Sequence, residues 1–151
     1  MYSHAFGLFL GVVLAFTGTA PPAAAQWENI ESVEGSYGAE MTLTKRPHGV
    51  AEGLSVRAMA IARPDTTRWA ISLIGAAPDA SLSIEYGNEA LSVQNVQRPD
   101  DGVGPTKVFV AEEAFLTMAE TETVRLNVGD VTASLPDQLR QEMKEIFERV
   151  N

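Results

Sequence analysis

Few residues in this chain have the chemistry of an active site, and their positions limit what that chemistry is. There is no cysteine, which removes thiol nucleophiles and the thiolate ligands of common zinc sites. Beyond Gln26 there is one histidine, His48, set between Pro47 and Gly49. A Ser-His-Asp arrangement would have to use it, and no Gly-x-Ser-x-Gly elbow accompanies it. The Lys45–Gly49 stretch reads as an exposed turn. The phosphate-cradling glycine patterns of nucleotide sites do not occur.

Carboxylates are what remains. An acid–base pair of the glycosidase kind needs two of them at a set separation across a cleft. The candidates are Glu40, Asp65, Glu85, Asp100 and Asp101. Glu40 and Glu85 fall on the polar side of alternating runs. Asp65 and Asp100 follow proline in turns, where aspartate is favoured locally. Asp100-Asp101-Gly102 offers oxygens to calcium but lacks the Asp-x-Asp-x-Asp-Gly spacing. Trp27, Trp69 and Tyr86 are the material for a sugar or peptide platform. Trp69 and Tyr86 sit on apolar faces and read as core, whereas Trp27 packs locally or stands exposed. The sequence therefore assigns no catalytic, cofactor-binding or metal-binding residue and no cofactor, and it predicts a protein that is not an enzyme.

The elements that must hold these residues are mostly short strands. From Tyr37 onward the apolar period is two. Tyr37–Thr44, Leu54–Ala62, Arg68–Ile74, Leu82–Tyr86, Leu91–Val96 and Val108–Val110 read as strands. Arg63-Pro64-Asp65 turns the second into the third as a hairpin, and Arg98–Thr106 is the longest loop. Glu112–Glu120 changes to a helical period, with acidic residues at the positive end of its dipole. Val124–Val128 and Val131–Leu135 flank a two-residue Gly-Asp turn, a strong hairpin signal. After Pro136, Leu139, Met143, Ile146, Phe147 and Val150 form the stripe of an amphipathic helix, with Glu142 and Glu145 read as facing outward and Lys144 and Glu148 spaced to pair. The pattern predicts an α+β domain with a mainly antiparallel sheet of about seven or eight short strands, one curved sheet or a sandwich, closed by a C-terminal amphipathic helix.

The N-terminal segment gives an address. Met1–Gln26 contains no Lys, Arg, Asp or Glu, and Ala5–Ala20 is apolar. Pro21-Pro22 ends that run, and Ala23-Ala24-Ala25 suits an export peptidase. The reading is a signal peptide over 1–25, an N-terminal arm over 26–36, with extended or helical turns, and a single globular domain over 37–151. The apolar run falls short of the roughly 20 residues of a spanning helix, so no stable membrane anchor is expected after cleavage. The segment lacks the cationic start usual for export signals, which keeps a retained anchor as the rival. About 125 residues then remain, enough to bury roughly two thirds of the unfolded surface without disulfides.

The net charge of −9 lies wholly in that part and disfavours nucleic acid, which needs a cationic footprint. The expectation is an acidic, beta-rich, exported protein, periplasmic or secreted, that binds or scaffolds without catalysis through a protein partner or self-association. A small apolar-ligand carrier is the alternative, with a pocket between sheet and terminal helix. A carboxylate-dependent hydrolase is the second.

Overall fold

The computed structural model describes residues 28–151. The expected signal peptide, its expected cleavage point and Trp27 lie outside the described residues. Within them the fold is α+β, with two antiparallel sheets of seven and four strands and two α-helices. The strands are β1 (Ile30–Glu34), β2 (Glu40–Thr44), β3 (His48–Ala51), β4 (Leu54–Ala62), β5 (Thr67–Ile74), β6 (Leu82–Tyr86), β7 (Glu89–Leu91), β8 (Val93–Gln97), β9 (Thr106–Val110), β10 (Val124–Val128) and β11 (Val131–Ser134). The helices are α1 (Glu112–Glu120) and α2 (Asp137–Val150). The larger sheet runs β1-β2-β4-β5-β9-β8, with β3 also paired to β4, and the smaller runs β11-β10-β6-β7.

Eleven strands replace the seven or eight expected, for three physical reasons. Ile30–Glu34 is extended and pairs with β2. His48–Ala51 pairs with β4, so the supposed turn ends at Pro47. The run from Leu91 to Val96 breaks at Ser92: β7 pairs with β6, and β8 crosses to the larger sheet and pairs with β9. The run from Tyr37 also starts later than its alternation implies. Tyr37 sits in a 3-10 turn with φ +59° and is 97% exposed, and β2 begins at Glu40.

Direct cross-strand partners share a face, so the registers sort β4 and its neighbours into two sides. On the inner side, Ala58 lies opposite Ile71, which lies opposite Val108. Ala60, Trp69 and Val110 form the next row. Small residues on β4 leave room for the helices. Trp69 meets Phe115 of α1 at 4.9 Å between centroids and stacks on Phe147 of α2 at 5.2 Å and 30°. Met118, Leu139, Met143 and Ile146 complete this core with Ile84, Val124 and Leu126 of the smaller sheet. Where a carrier pocket was expected, between sheet and terminal helix, these side chains are packed together. Truncating a ring such as Phe115 there costs about 3–5 kcal/mol.

The outer side carries a second, smaller apolar cluster: Leu43, Met59, Ala70 and Phe109, with Met41 and Ile61 against them. All six belong to the larger sheet. The guanidinium of Arg68 lies 3.7 Å over the Phe109 ring, within cation–π range.

Candidate functional site

The five candidate carboxylates do not converge. Glu40 begins β2 and is exposed, and Asp65 is exposed in the β4–β5 turn. Glu85 on β6 meets Arg125 of β10 at 3.3 Å. Asp100 and Asp101 sit in the β8–β9 loop, where the Oδ1 of Asp101 accepts the Val103 amide at 3.0 Å. Among the described residues no group of three or more His, Asp or Glu is placed to hold a metal ion.

The structure instead joins two residues that sequence reasoning set aside. Glu142 was read as facing outward, yet its side chain is 1% exposed. His48 was read as an exposed turn residue, yet its Nε2 donates to Glu142 Oε2 at 2.5 Å. The register puts His48 opposite Val56, on the inner side of β4, which aims it at α2. The signal for Glu142 lies in the spacing: positions 139, 142, 143 and 146 follow the i, i+3, i+4, i+7 rule of one helical face, and all four are buried. A carboxylate inside an apolar stripe needs partners, because an unpaired buried charge is costly.

Those partners are present. Asn29 Nδ2 donates to Glu142 Oε1 at 3.0 Å, and Gln138 Nε2 reaches the same oxygen at 3.4 Å. Asn29 is itself fixed by the 45–46 strand exit: its Nδ2 donates to Arg46 O at 3.1 Å, and its Oδ1 accepts the Arg46 amide at 2.9 Å. The group opens on a cleft of about 400 Å³ that Glu28, Arg46 and Pro47 also line. Chemically this is an oriented imidazole beside a carboxylate whose two oxygens are both engaged. Among the described residues no hydroxyl or thiol side chain lines the cleft, and Glu28 is exposed at its rim.

A second cleft, of about 510 Å³, lies on the outer side, between the sheet and the β8–β9 loop. Arg57 and Ser72 face it from β4 and β5, and Ile74, Val103 and Gly104 complete the walls. Ile74 is 37% and Val103 76% exposed, two of the few large apolar side chains left open to water. The loop that carries Val103 is pinned. Arg98 Nη1 donates to Pro78 O at 2.8 Å and Nη2 to Ala80 O at 2.6 Å. At the back of the cleft Gly75 has φ +95°, and a Cβ there would fall 1.9 Å from Gly53 O; only glycine fits.

Arg57 is unlike Glu142 in its bonding. Its Nη2 donates to Lys45 O at 2.7 Å, while its Nε is buried with no hydrogen-bond partner. No protein-family model, curated protein or solved structure matches this chain, so the site geometry stands on its own.

Proposed function

We propose that this chain is an exported, non-catalytic domain that binds a molecule on the outer side of its larger sheet, in the cleft beneath the β8–β9 loop. The observation that supports this reading most is the open pair of Ile74, at the end of β5, and Val103, on the pinned loop, beside Arg57. Soluble surfaces hold contiguous apolar contact for use, and a few polar groups among apolar walls are the usual make-up of a ligand site. The apolar-ligand alternative keeps its ligand class and changes its place, since the space under α2 is packed.

The absence of cysteine makes a direct test simple. Val103→Cys is alkylated with a permeant maleimide in intact cells and in the purified chain, normalised to Lys144→Cys on α2. Occupancy predicts about tenfold slower labelling of position 103 in cells. Equal normalised rates would end the proposal. Sequencing of the N-terminus checks the export half: a start at or near Gln26 is expected, and an intact Met1 contradicts cleavage.

The hydrolase reading has one specific observation behind it, the His48–Glu142 pair in a cleft. Glycosidic chemistry needs two carboxylates with room between them for sugar or water, whereas Glu142 spends both oxygens on His48, Asn29 and Gln138. The pair is better suited to fastening α2 to the strands.

A further inference from the structure

We infer that the outer cleft takes a free carboxylate amphiphile of the fatty-acid class, its head at Arg57 and its tail over Ile74 and Val103. The inference rests on the binding reading above and adds the chemistry of the occupant. The registers place Arg57 directly across from Ser72, and Ser72 directly across from Lys107. Two cations therefore flank a hydroxyl in one row of one face. Neither cation is in an ion pair among the described residues, and residues 1–27 contain no Asp or Glu to supply one. Glu31, beside Leu43 at the far edge, is the only acidic strand residue that the pairings put on this face. Of the loop acids, Asp101 accepts the Val103 amide, and Asp100 lines a neighbouring cleft together with Lys107, which leaves Arg57 as the cation that lines the outer cleft.

Arg57 is thus a cationic group without an ion-pair partner among the described residues, in a chain of net charge −9. A buried N–H without an acceptor costs about 1–3 kcal/mol. A carboxylate drawn against the guanidinium would supply that acceptor, in the bidentate geometry arginine favours. Ile74 and Val103 ask for a tail, because covering exposed apolar side chains is the favourable part of binding. A cleft of about 510 Å³ is of small-molecule size. The overall negative charge repels an anionic bilayer at long range, so the occupant is a single free molecule and not a membrane surface.

The test titrates the purified full-length chain with laurate below its micelle concentration, followed by ¹⁵N NMR and thermal melting. One saturable site is expected, with shifts concentrated at Ser72, Ile74, Val103 and Gly104 and a raised Tm. Dodecyl maltoside, with the same tail and no charge, should bind at least tenfold more weakly, and acetate should not bind. Arg57→Gln should weaken laurate at least tenfold. Val103→Asp, on an exposed loop position where folding is undisturbed, should abolish it. The inference is overturned by laurate affinity unchanged in both variants, by shifts centred on His48, or by co-sedimentation of the chain with phosphatidylglycerol vesicles. Cellular protection of position 103 without laurate binding would leave the binding domain standing and remove this ligand class. Loss of both would remove both.

Discussion

The two clefts hold the same kind of material, a charged group beside apolar side chains, and treat it in opposite ways. At the inner cleft, Glu142 is 1% exposed and engaged by His48, Asn29 and Gln138. At the outer cleft, Arg57 makes one hydrogen bond to a backbone carbonyl and leaves its Nε without any. Burying a charge is tolerated when its hydrogen-bonding capacity is filled from within. Where the chain fills that capacity itself, the group fastens the fold. Where capacity is left over, a ligand can gain from it. Arg140 on α2 also leaves its Nε without a partner, but its Nη2 is paired with Asp137, so it is the missing ion pair together with the open cleft that sets Arg57 apart.

The largest effect should come from breaking the inner cluster. His48→Ala removes the shortest hydrogen-bond partner of a buried carboxylate, and a loss of about 3 kcal/mol is expected. Urea melts should show a lower midpoint at unchanged slope. Glu142→Gln should be milder, about 1–2 kcal/mol, since the amide oxygen still accepts from Asn29. The reverse order would mean that the lone buried charge is not the costly product, and the fastening account would fail. Arg57→Met should differ in sign. It removes an unsatisfied buried donor and keeps a long apolar stem against the sheet, so stability should hold or rise by up to about 1 kcal/mol. A loss above about 2 kcal/mol would place Arg57 with Glu142 as scaffold.

The smallest effect sharpens the contrast from the solvent side. Tyr86 Oη donates to Glu89 Oε2 at 2.5 Å across the β6–β7 turn. That hydrogen bond first, then the charge of Glu89, then slight desolvation, raise the phenol above its ordinary value of 10.0. Because the folded value is the higher one, the linked stability is present below pH 10 and is lost as pH rises through the folded value. An absorbance titration should show one of the three tyrosines ionising late, and Glu89→Gln should bring it back. An unchanged curve in that variant would remove the carboxylate as the cause.

Much of this fold was legible in the sequence because its signals are local. The β4–β5 and β10–β11 hairpins follow from alternation around Pro-Asp and Gly-Asp turns, and α1 from a change of period at Glu112. Trp69 was legible as core for the same reason. What was not legible depends on pairing between distant segments. β3 is recognisable only through its partner β4, so His48 was taken for a turn residue. Ser92 gives no warning that the chain changes sheets there. The row Arg57, Ser72, Lys107 needs the β5–β9 register, which no local pattern fixes. Glu142 is the instructive case: its spacing marked it for burial, but its charge argued for solvent, and only the distant Asn29 and His48 resolve that conflict. On α2 the observed i, i+4 pair is Glu145–Arg149, at 3.0 Å, where Lys144–Glu148 had been expected.

The bond between Asn29 and Glu142 also has a consequence in time. It spans 113 positions, joining the entry to the first strand with the last helix. Contacts of such separation are slow to form, because the loop must close before the bond rewards it. A chain that emerges N-terminus first presents Asn29 and His48 long before α2 exists, and the part of the inner face that α2 covers stays bare until then. Sealing of that part of the core is thereby deferred to completion of the chain, because the segment that covers it is made last.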